Sequence, residues 1–137
     1  MQTPAVARRK SKPVPAVADD ARTGHVRVAL EERLVELRIE YDEVVGEFTG
    51  AESGTLAPDA GDDVADIGTK TFAREQEMAL ANTIRVRMDQ VTRALERLAA
   101  GRYGWCESCG DPIAAARLAA FPSATLCVGC KQQQERR

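Results

Sequence analysis

The chain has 137 residues, of which only 4% are aromatic and 29% are charged, which argues against a large globular core and favours an elongated protein. A net charge of −2 gives no overall electrostatic reason to expect nucleic-acid binding, because phosphate contacts call for a basic surface. The sequence has no apolar run of the roughly eighteen residues that a membrane-spanning helix needs, so we expect no membrane role.

Residues 1–24 predict a disordered basic arm. They combine prolines with basic residues and show no sustained apolar period: Pro4, Pro13, Pro15, Arg8, Arg9, Lys10, Lys12 and Arg22. Such an arm is either a weak electrostatic tether to a partner or a solvated tail. The chain opens without the apolar core of a secretory signal, so we expect a cytoplasmic protein. His25, the only histidine, follows the arm and is expected at the surface.

A first helix is predicted from about residue 25 to residue 48. Its apolar positions are spaced 4, 3, 4, 3 and 4 residues apart: Leu30, Leu34, Leu37, Tyr41, Val44 and Phe48. This spacing is typical of a coiled-coil seam, and charged residues occupy the positions between. One narrow apolar stripe indicates one partner helix.

The partner helix is predicted between about residues 71 and 100. Its apolar residues are spaced 4, 3, 4 and 3 residues apart: Ile84, Met88, Val91, Leu95 and Leu98. The two matching seams predict an antiparallel hairpin over 25–100. Ala73 and Glu77 continue the second seam toward the turn, so packing should weaken there, while Gly101 should cap the helix at its other end.

The connecting segment, about residues 49–70, is predicted to form the tip of the hairpin. Glycines and a proline disfavour a continuous helix here: Gly50, Gly54, Pro58, Gly61 and Gly68. Five acids stand against the single basic residue Lys70: Glu52, Asp59, Asp62, Asp63 and Asp66. These acids either form a functional site at the end of a rod, or only solubilise a turn and favour the start of the second helix through its dipole.

Four cysteines follow the hairpin as two Cys-x-x-Cys pairs. Cys106 and Cys109 form the first pair, and Cys127 and Cys130 form the second after seventeen intervening residues. Two such turns supply four thiolates at the tetrahedral geometry that Zn²⁺ accepts. Because protein sulfur would fill every coordination position, the pattern predicts one structural zinc ion and no catalytic metal.

Disulfides and a redox motif are the alternatives for these cysteines. Disulfides would need an oxidising compartment, for which the chain shows no secretory signal. A redox motif normally follows a strand in a βαβ unit, whereas Cys106 follows a helical pattern. The zinc reading is therefore favoured.

The cysteines belong to a C-terminal module over 101–137. Trp105 is expected to pack beside the first cysteine pair, since Glu107 and Asp111 disfavour stacking on a nucleic-acid base. Between the pairs, residues 113–120 predict a short helix that Phe121 and Pro122 end, and residues 131–137 a polar helix or frayed tail. The fold class is therefore all-α: a coiled-coil hairpin followed by a four-cysteine zinc finger.

The cysteine region resembles the DksA/TraR family of bacterial transcription regulators. The resemblance lies in Gly104 to Gly110, and then in Ile113, Arg117, Leu118, Ala120, Pro122, Ala124, Leu126, Cys127, Cys130 and Lys131. The hairpin agrees in length and position, so about residues 25–137 are covered. The resemblance implies a monomeric, non-enzymatic regulator whose hairpin enters the secondary channel of RNA polymerase without reading a DNA sequence.

The family's tip carries an Asp-x-x-Asp-x-Ala motif at a fixed distance before the first cysteine. Counting back from Cys106 places this motif on Asp63, Asp66 and Gly68, with glycine in place of alanine. The resemblance thus implies that Asp63 and Asp66 act near the polymerase active site, by contacting basic groups or by perturbing Mg²⁺ coordination.

Some relatives form a site for the alarmone ppGpp together with polymerase, using basic residues on the second helix and in the zinc module. Lys131 is retained here, but the other corresponding positions hold Gln90 and Phe121, which cannot pair with phosphate. Arg87, one helical turn from Gln90, is a candidate to compensate. The sequence therefore argues against strict alarmone dependence.

Two other functions stay open at this point. A transcript-cleavage or elongation-type factor would use the same channel, with tip acids helping to hold a second Mg²⁺. A zinc-finger nucleic-acid-binding module would show strongly salt-dependent DNA binding, against which the acidic balance argues.

Overall fold

The structure is a computed structural model that describes residues 20–52 and 64–137. Residues 1–19 of the predicted basic arm and residues 53–63 of the predicted tip, the latter including Asp63, lie outside the described residues. Four helices occur in the described part of the chain: α1 (Asp20–Glu52), α2 (Val64–Ala99), α3 (Ala115–Ala120) and α4 (Val128–Glu135). None of them is long and apolar enough to cross a membrane.

Helices α1 and α2 pack against each other as the predicted coiled-coil hairpin. They contain 33 and 36 residues, which corresponds to rods of about 50 and 54 Å at about 1.5 Å per residue. The best-buried residues of the hairpin core belong to the predicted seams or lie beside them: Leu30, Leu37, Ile84, Val91 and Ala94. Partly buried seam residues surround them: Leu34, Tyr41, Val44, Met88 and Leu95. The 4-3 spacing thus identified the interface, because residues at that spacing share one helix face.

Packing weakens toward the tip, as the sequence predicts. A cavity of about 340 Å³ opens between the helices where the second seam turns polar. Its lining includes Tyr41, Val44, Glu77, Met78 and Ala81. From Val64 to Ala73 every residue of α2 is exposed, so this end of the rod has little apolar burial to stabilise it.

Both helices extend beyond their predicted bounds. Residues 20–24, assigned to the arm, belong to α1, and the glycine-based limits at residues 49 and 70 are wrong because residues 49–52 and 64–70 are helical. Gly50 and Gly68 lie inside helices in open surroundings. A single helical glycine costs only about 1 kcal/mol relative to alanine, which helix-forming neighbours can offset.

The C-terminal module begins with a glycine-capped turn. Gly101 has φ 68°, and its N–H donates to the Leu98 carbonyl while that of Arg102 donates to the Arg97 carbonyl. These two bonds form a Schellman motif and confirm the predicted cap. The short helix predicted over 113–120 is α3, and the predicted C-terminal helix is α4, which begins three residues earlier than expected.

Candidate metal centre and hairpin tip

The first cysteine pair lies on a tight turn. The N–H of Cys106 donates to the Asp111 carbonyl at 2.8 Å, and the N–H of Gly110 donates to the Cys106 carbonyl at 2.9 Å. Gly104 and Gly110 have φ values of 85° and 75°, a region that residues with a Cβ rarely adopt. The two glycines therefore allow the chain to turn back beside Cys106 and Cys109.

The second pair lies at the start of α4. Cys127 is the N-cap residue, and the N–H of Lys131 donates to its carbonyl at 3.0 Å. Cys130 falls in the first turn of the helix. The two pairs are joined where the N–H of Glu107 donates to the Thr125 carbonyl at 2.9 Å, which brings the loops together.

The four sulfur atoms form one cluster. The Sγ atoms of Cys106, Cys109, Cys127 and Cys130 all lie within 4.8 Å of one another, and those of Cys109 and Cys127 are 3.8 Å apart. A tetrahedral zinc site with bonds of about 2.3 Å places its sulfurs about 3.8 Å from each other. The cluster thus fits zinc in donor type, number and spacing, as the sequence predicts.

The surroundings of Cys106 and Cys109 shift the pKa values of their thiols in opposite directions. Burial of Cys106 opposes its ionisation, but the N–H groups of Cys109, Cys127 and Ser108 together lower the pKa of its thiol to about 6. At Cys109 the N–H of Asp111 favours the thiolate, yet desolvation and the neighbouring sulfurs raise the pKa to about 12. Several thiolates so close together repel one another, and a divalent cation removes this repulsion.

A polar network joins this module to α2. The Gln90 side-chain amide donates to the Ser123 carbonyl at 2.7 Å and to the Thr125 hydroxyl at 3.2 Å. The Thr125 hydroxyl in turn donates to Glu107 at 2.8 Å. Arg97 donates to the Trp105 carbonyl at 2.6 Å, so both cysteine loops are tied to one helix. Sequence reasoning missed this network, because the hydrogen bonds that join Gln90, Thr125 and Glu107 connect residues 18 to 35 positions apart, with no periodic signal.

Residues 64–70, at the start of α2, form the part of the predicted tip that is exposed in the structure. Asp66 lies in the first turn of α2 and forms an ion pair of 2.9 Å with Lys70. Gly68 is helical, with nothing within 4 Å of the position of an added Cβ. The structure therefore presents the Asp66 carboxylate at the surface of the rod.

Exposed apolar side chains accompany Asp66, which the sequence analysis missed. Val64, Ile67 and Phe72 are 83%, 46% and 60% exposed. Ile67 lies seventeen residues before Ile84 and continues the 4-3 spacing of the seam, whereas Val64 and Phe72 lie outside that spacing. The exposed apolar side chains are therefore spread around α2 at this end.

The residues considered for alarmone contact have different contacts in the structure. Lys131 is exposed and pairs with Glu135 at 3.6 Å, and Arg87 is exposed on α2. Gln90 is engaged by the zinc module, as described above, and Phe121 is 62% exposed. No contact among the described residues unites Lys131 with Arg87, so the structure does not assemble these residues into one site. The other single predictions hold more simply, since His25 is exposed and Trp105 is half-buried beside Cys106.

Comparison with known proteins extends this picture. The family profile of the prokaryotic dksA/traR C4-type zinc finger matches residues 101–136. The RNA polymerase-binding transcription factor DksA of Escherichia coli K12 is 31% identical over 128 residues, which cover 92% of this chain and 80% of that protein. The relative of the same name from Caulobacter vibrioides is 37% identical over 75 residues, but this match spans only 53% of its length.

A solved structure is similar over nearly the whole chain. Transcription factor DksA2 from Pseudomonas aeruginosa is 33% identical, covers 92% of each chain and superposes with a TM-score of 0.69. The similarity therefore includes the hairpin as well as the zinc finger. These relatives are named as transcription factors, in agreement with the expectation of a non-enzymatic protein.

Proposed function

Because the chain belongs to the DksA/TraR family, we propose that it is an RNA polymerase-binding regulator that enters the secondary channel and modulates transcription initiation through its acidic tip. The observation that carries this proposal is the similarity to DksA proteins over 92% of the chain, hairpin included. A shared zinc finger alone would support only a shared metal-binding module. Acting on bacterial polymerase, the protein would work in the cytoplasm, and its internally paired seam favours a monomer.

One structural zinc ion would be held by Cys106, Cys109, Cys127 and Cys130. With four sulfur ligands no position is open to water or substrate, so bound zinc supplies conformational stability and no chemistry. The cysteine loops then form a wide base from which α1 and α2 project. This shape suits a body that stays at a channel entrance while a rod of about 50 Å reaches inward.

The tip would act through contacts. Asp66 is exposed at the start of α2, and a carboxylate there can accept hydrogen bonds from basic and polar groups of a buried active site. Asp63 precedes it by three residues and lies outside the described residues. Val64, Ile67 and Phe72 add exposed apolar side chains to the same end of α2, so we propose that the tip binds a channel wall with both apolar and polar groups.

Regulation by ppGpp is not required in this proposal. The Gln90 amide donates hydrogen bonds to Ser123 and Thr125 of the zinc module and carries no charge to pair with phosphate. Among the residues considered for alarmone contact, Lys131 and Arg87 are the exposed cations. Transcription assays with and without ppGpp test this point, and a nucleotide-dependent effect abolished by Arg87→Ala would contradict it.

The deciding experiment is pull-down of core RNA polymerase by the zinc-loaded protein, followed by promoter-specific transcription in vitro. The double variant Asp63→Asn/Asp66→Asn should keep binding and lose regulation. Asp89→Asn, an exposed acid farther along α2, is the matched control and should behave as wild type. Failure of the wild type to bind polymerase would overturn the proposal, and cleavage of RNA in a backtracked complex would favour the cleavage-factor alternative.

A further inference from the structure

The connection between the hairpin and the zinc module contains two glycines with positive φ. Gly101 (φ 68°) ends α2, and Gly104 (φ 85°) lies two residues before Cys106. Among the described helices only α1 and α2 pack against each other, so neither α3 nor α4 supports the hairpin. The covalent link alone would therefore allow the zinc module to rotate relative to α2, because glycine has access to many backbone conformations.

Loops of the module hold it to α2 instead. Gln90 donates to Ser123 and Thr125, and Thr125 donates to Glu107, which forms a directed chain of hydrogen bonds. Thr125 is only 3% exposed, so its hydroxyl depends on these two partners for hydrogen bonding. This chain of hydrogen bonds begins at Gln90 on α2 and passes through Thr125, which lies two residues before Cys127. It ends at Glu107, which lies between Cys106 and Cys109.

Charged and aromatic groups reinforce the same contact. The Glu107 carboxylate lies 3.7 Å from Arg93 and 4.0 Å from Arg97. The Tyr103 hydroxyl donates to the Pro122 carbonyl at 2.7 Å while the residue packs against the hairpin core. Every one of these groups spans the boundary between the hairpin base and the zinc module.

We propose that Gln90, Thr125 and Glu107 are positioning residues, which lock the zinc module onto α2 and thereby set the direction in which the hairpin projects from it. Gln90 is the key member because its amide reaches two acceptors of the loop that leads to the second cysteine pair. The consequence for polymerase rests on the proposed function: a rod held in one direction reaches the channel interior without first losing orientational freedom.

The lock itself is tested on the free, zinc-loaded protein. Spin labels at the exposed positions Glu43 in α1 and Gln133 in α4, attached by non-cysteine chemistry, report the distance between rod and module by pulsed EPR. Wild type should give one narrow distribution, and Gln90→Leu a broader one. Gln76→Leu, an exposed glutamine on the same helix, is the matched control and should stay narrow.

Thr125 supplies an independent variant pair. Thr125→Val removes the hydroxyl and should broaden the distribution, whereas Thr125→Ser keeps it and should restore the narrow one. A Gln90→Leu protein that retains the wild-type distribution would overturn the proposal. Loss of zinc from Gln90→Leu would also overturn it, because the residue would then support the metal centre and not the direction of the rod.

The second measurement is polymerase affinity. Gln90→Leu should bind about tenfold more weakly, as expected when one or two hydrogen bonds that preorganise a binder are lost, and Gln76→Leu should bind as wild type. Broadening in EPR with unchanged affinity would refute the link between direction and binding. If the wild-type protein itself does not bind polymerase, the proposed function is wrong. The EPR result still tests whether Gln90, Thr125 and Glu107 hold the zinc module against α2.

Discussion

The two ends of the hairpin are built in opposite ways. At the base, Leu98 is buried and Gln90 bonds to the zinc module, so apolar contacts, hydrogen bonds and a cluster of four cysteine side chains occur together. At the far end residues 64–73 of α2 are exposed, Asp66 and Lys70 form an exposed ion pair, and farther along the rod both helices line a cavity. Contacts that stabilise the fold are therefore concentrated at the base, whereas the described part of the far end has few of them.

The polar interactions at the two ends differ in strength because the groups that form them differ in exposure to water. Hydrogen bonds at the base lie among half-buried groups, where water competes poorly and an unpaired partner would be costly. The exposed Asp66–Lys70 pair is worth little to stability, because water and salt screen it. Acids at the tip therefore stay available to a partner. Substitutions at the two ends should accordingly differ in size and even in sign.

The largest effect is expected for Cys127→Ser, which removes a zinc ligand at the base. Apparent zinc binding contributes on the order of 10 kcal/mol to folding, so the module over 101–137 should unfold while hairpin helicity largely remains. Zinc content and NMR spectra measure both. Val128→Ala, a change at the neighbouring exposed residue, should keep metal and spectrum, and an ordered metal-free module would contradict the zinc assignment.

The next-largest effect is expected from a comparison of a buried position of α2 with an exposed position of the same helix. Ile84 is fully buried, so Ile84→Ala should lower the free energy of unfolding by about 2–5 kcal/mol. Met78→Ala, on the same helix but 60% exposed, should change it by less than about 0.5 kcal/mol. Urea titrations give both values. Equal losses would contradict the difference in packing between these two positions of α2.

A smaller effect concerns the pH dependence of zinc affinity. The raised pKa of Cys109, about 12, means that zinc binding displaces a proton from this thiol at neutral pH. Affinity should therefore rise with pH by about tenfold per unit for each proton released, or about 1.4 kcal/mol. Competition with a chelator between pH 7 and pH 8 measures it. The Cys106 thiol, with a pKa of about 6, adds a further proton only below that range.

The smallest effect compares two glycines by the same substitution. Gly68 lies in a helix with open space around it, so Gly68→Ala should stabilise the tip end of α2 by about 0.5–1 kcal/mol. Gly101 has φ 68°, so Gly101→Ala should destabilise the base by about 1 kcal/mol or slightly more. Hydrogen exchange locates both changes along α2. Effects of the same sign would contradict the opposite backbone requirements inferred at the two ends.

The hairpin was predictable because its information is periodic. Leu30, Leu37, Ile84 and Val91 were identified from spacing alone, and all are buried. The helix ends were less predictable, since Gly50 and Gly68 lower helix propensity without preventing helix formation. The predicted tip acid Asp66 therefore proves to be part of α2 and not of a turn.

The amino-acid sequence by itself determined the paired seams, the Gly101 cap and the four-cysteine cluster, because each is encoded by residues at fixed local spacing. The tertiary structure decided which polar residues hold the module to the rod. Gln90, Thr125 and Glu107 are common polar residues that follow no local spacing, and their hydrogen bonds span 18 to 35 residues. Such contacts exist only after the hairpin has formed and the two cysteine loops have closed around one point, which no local pattern records.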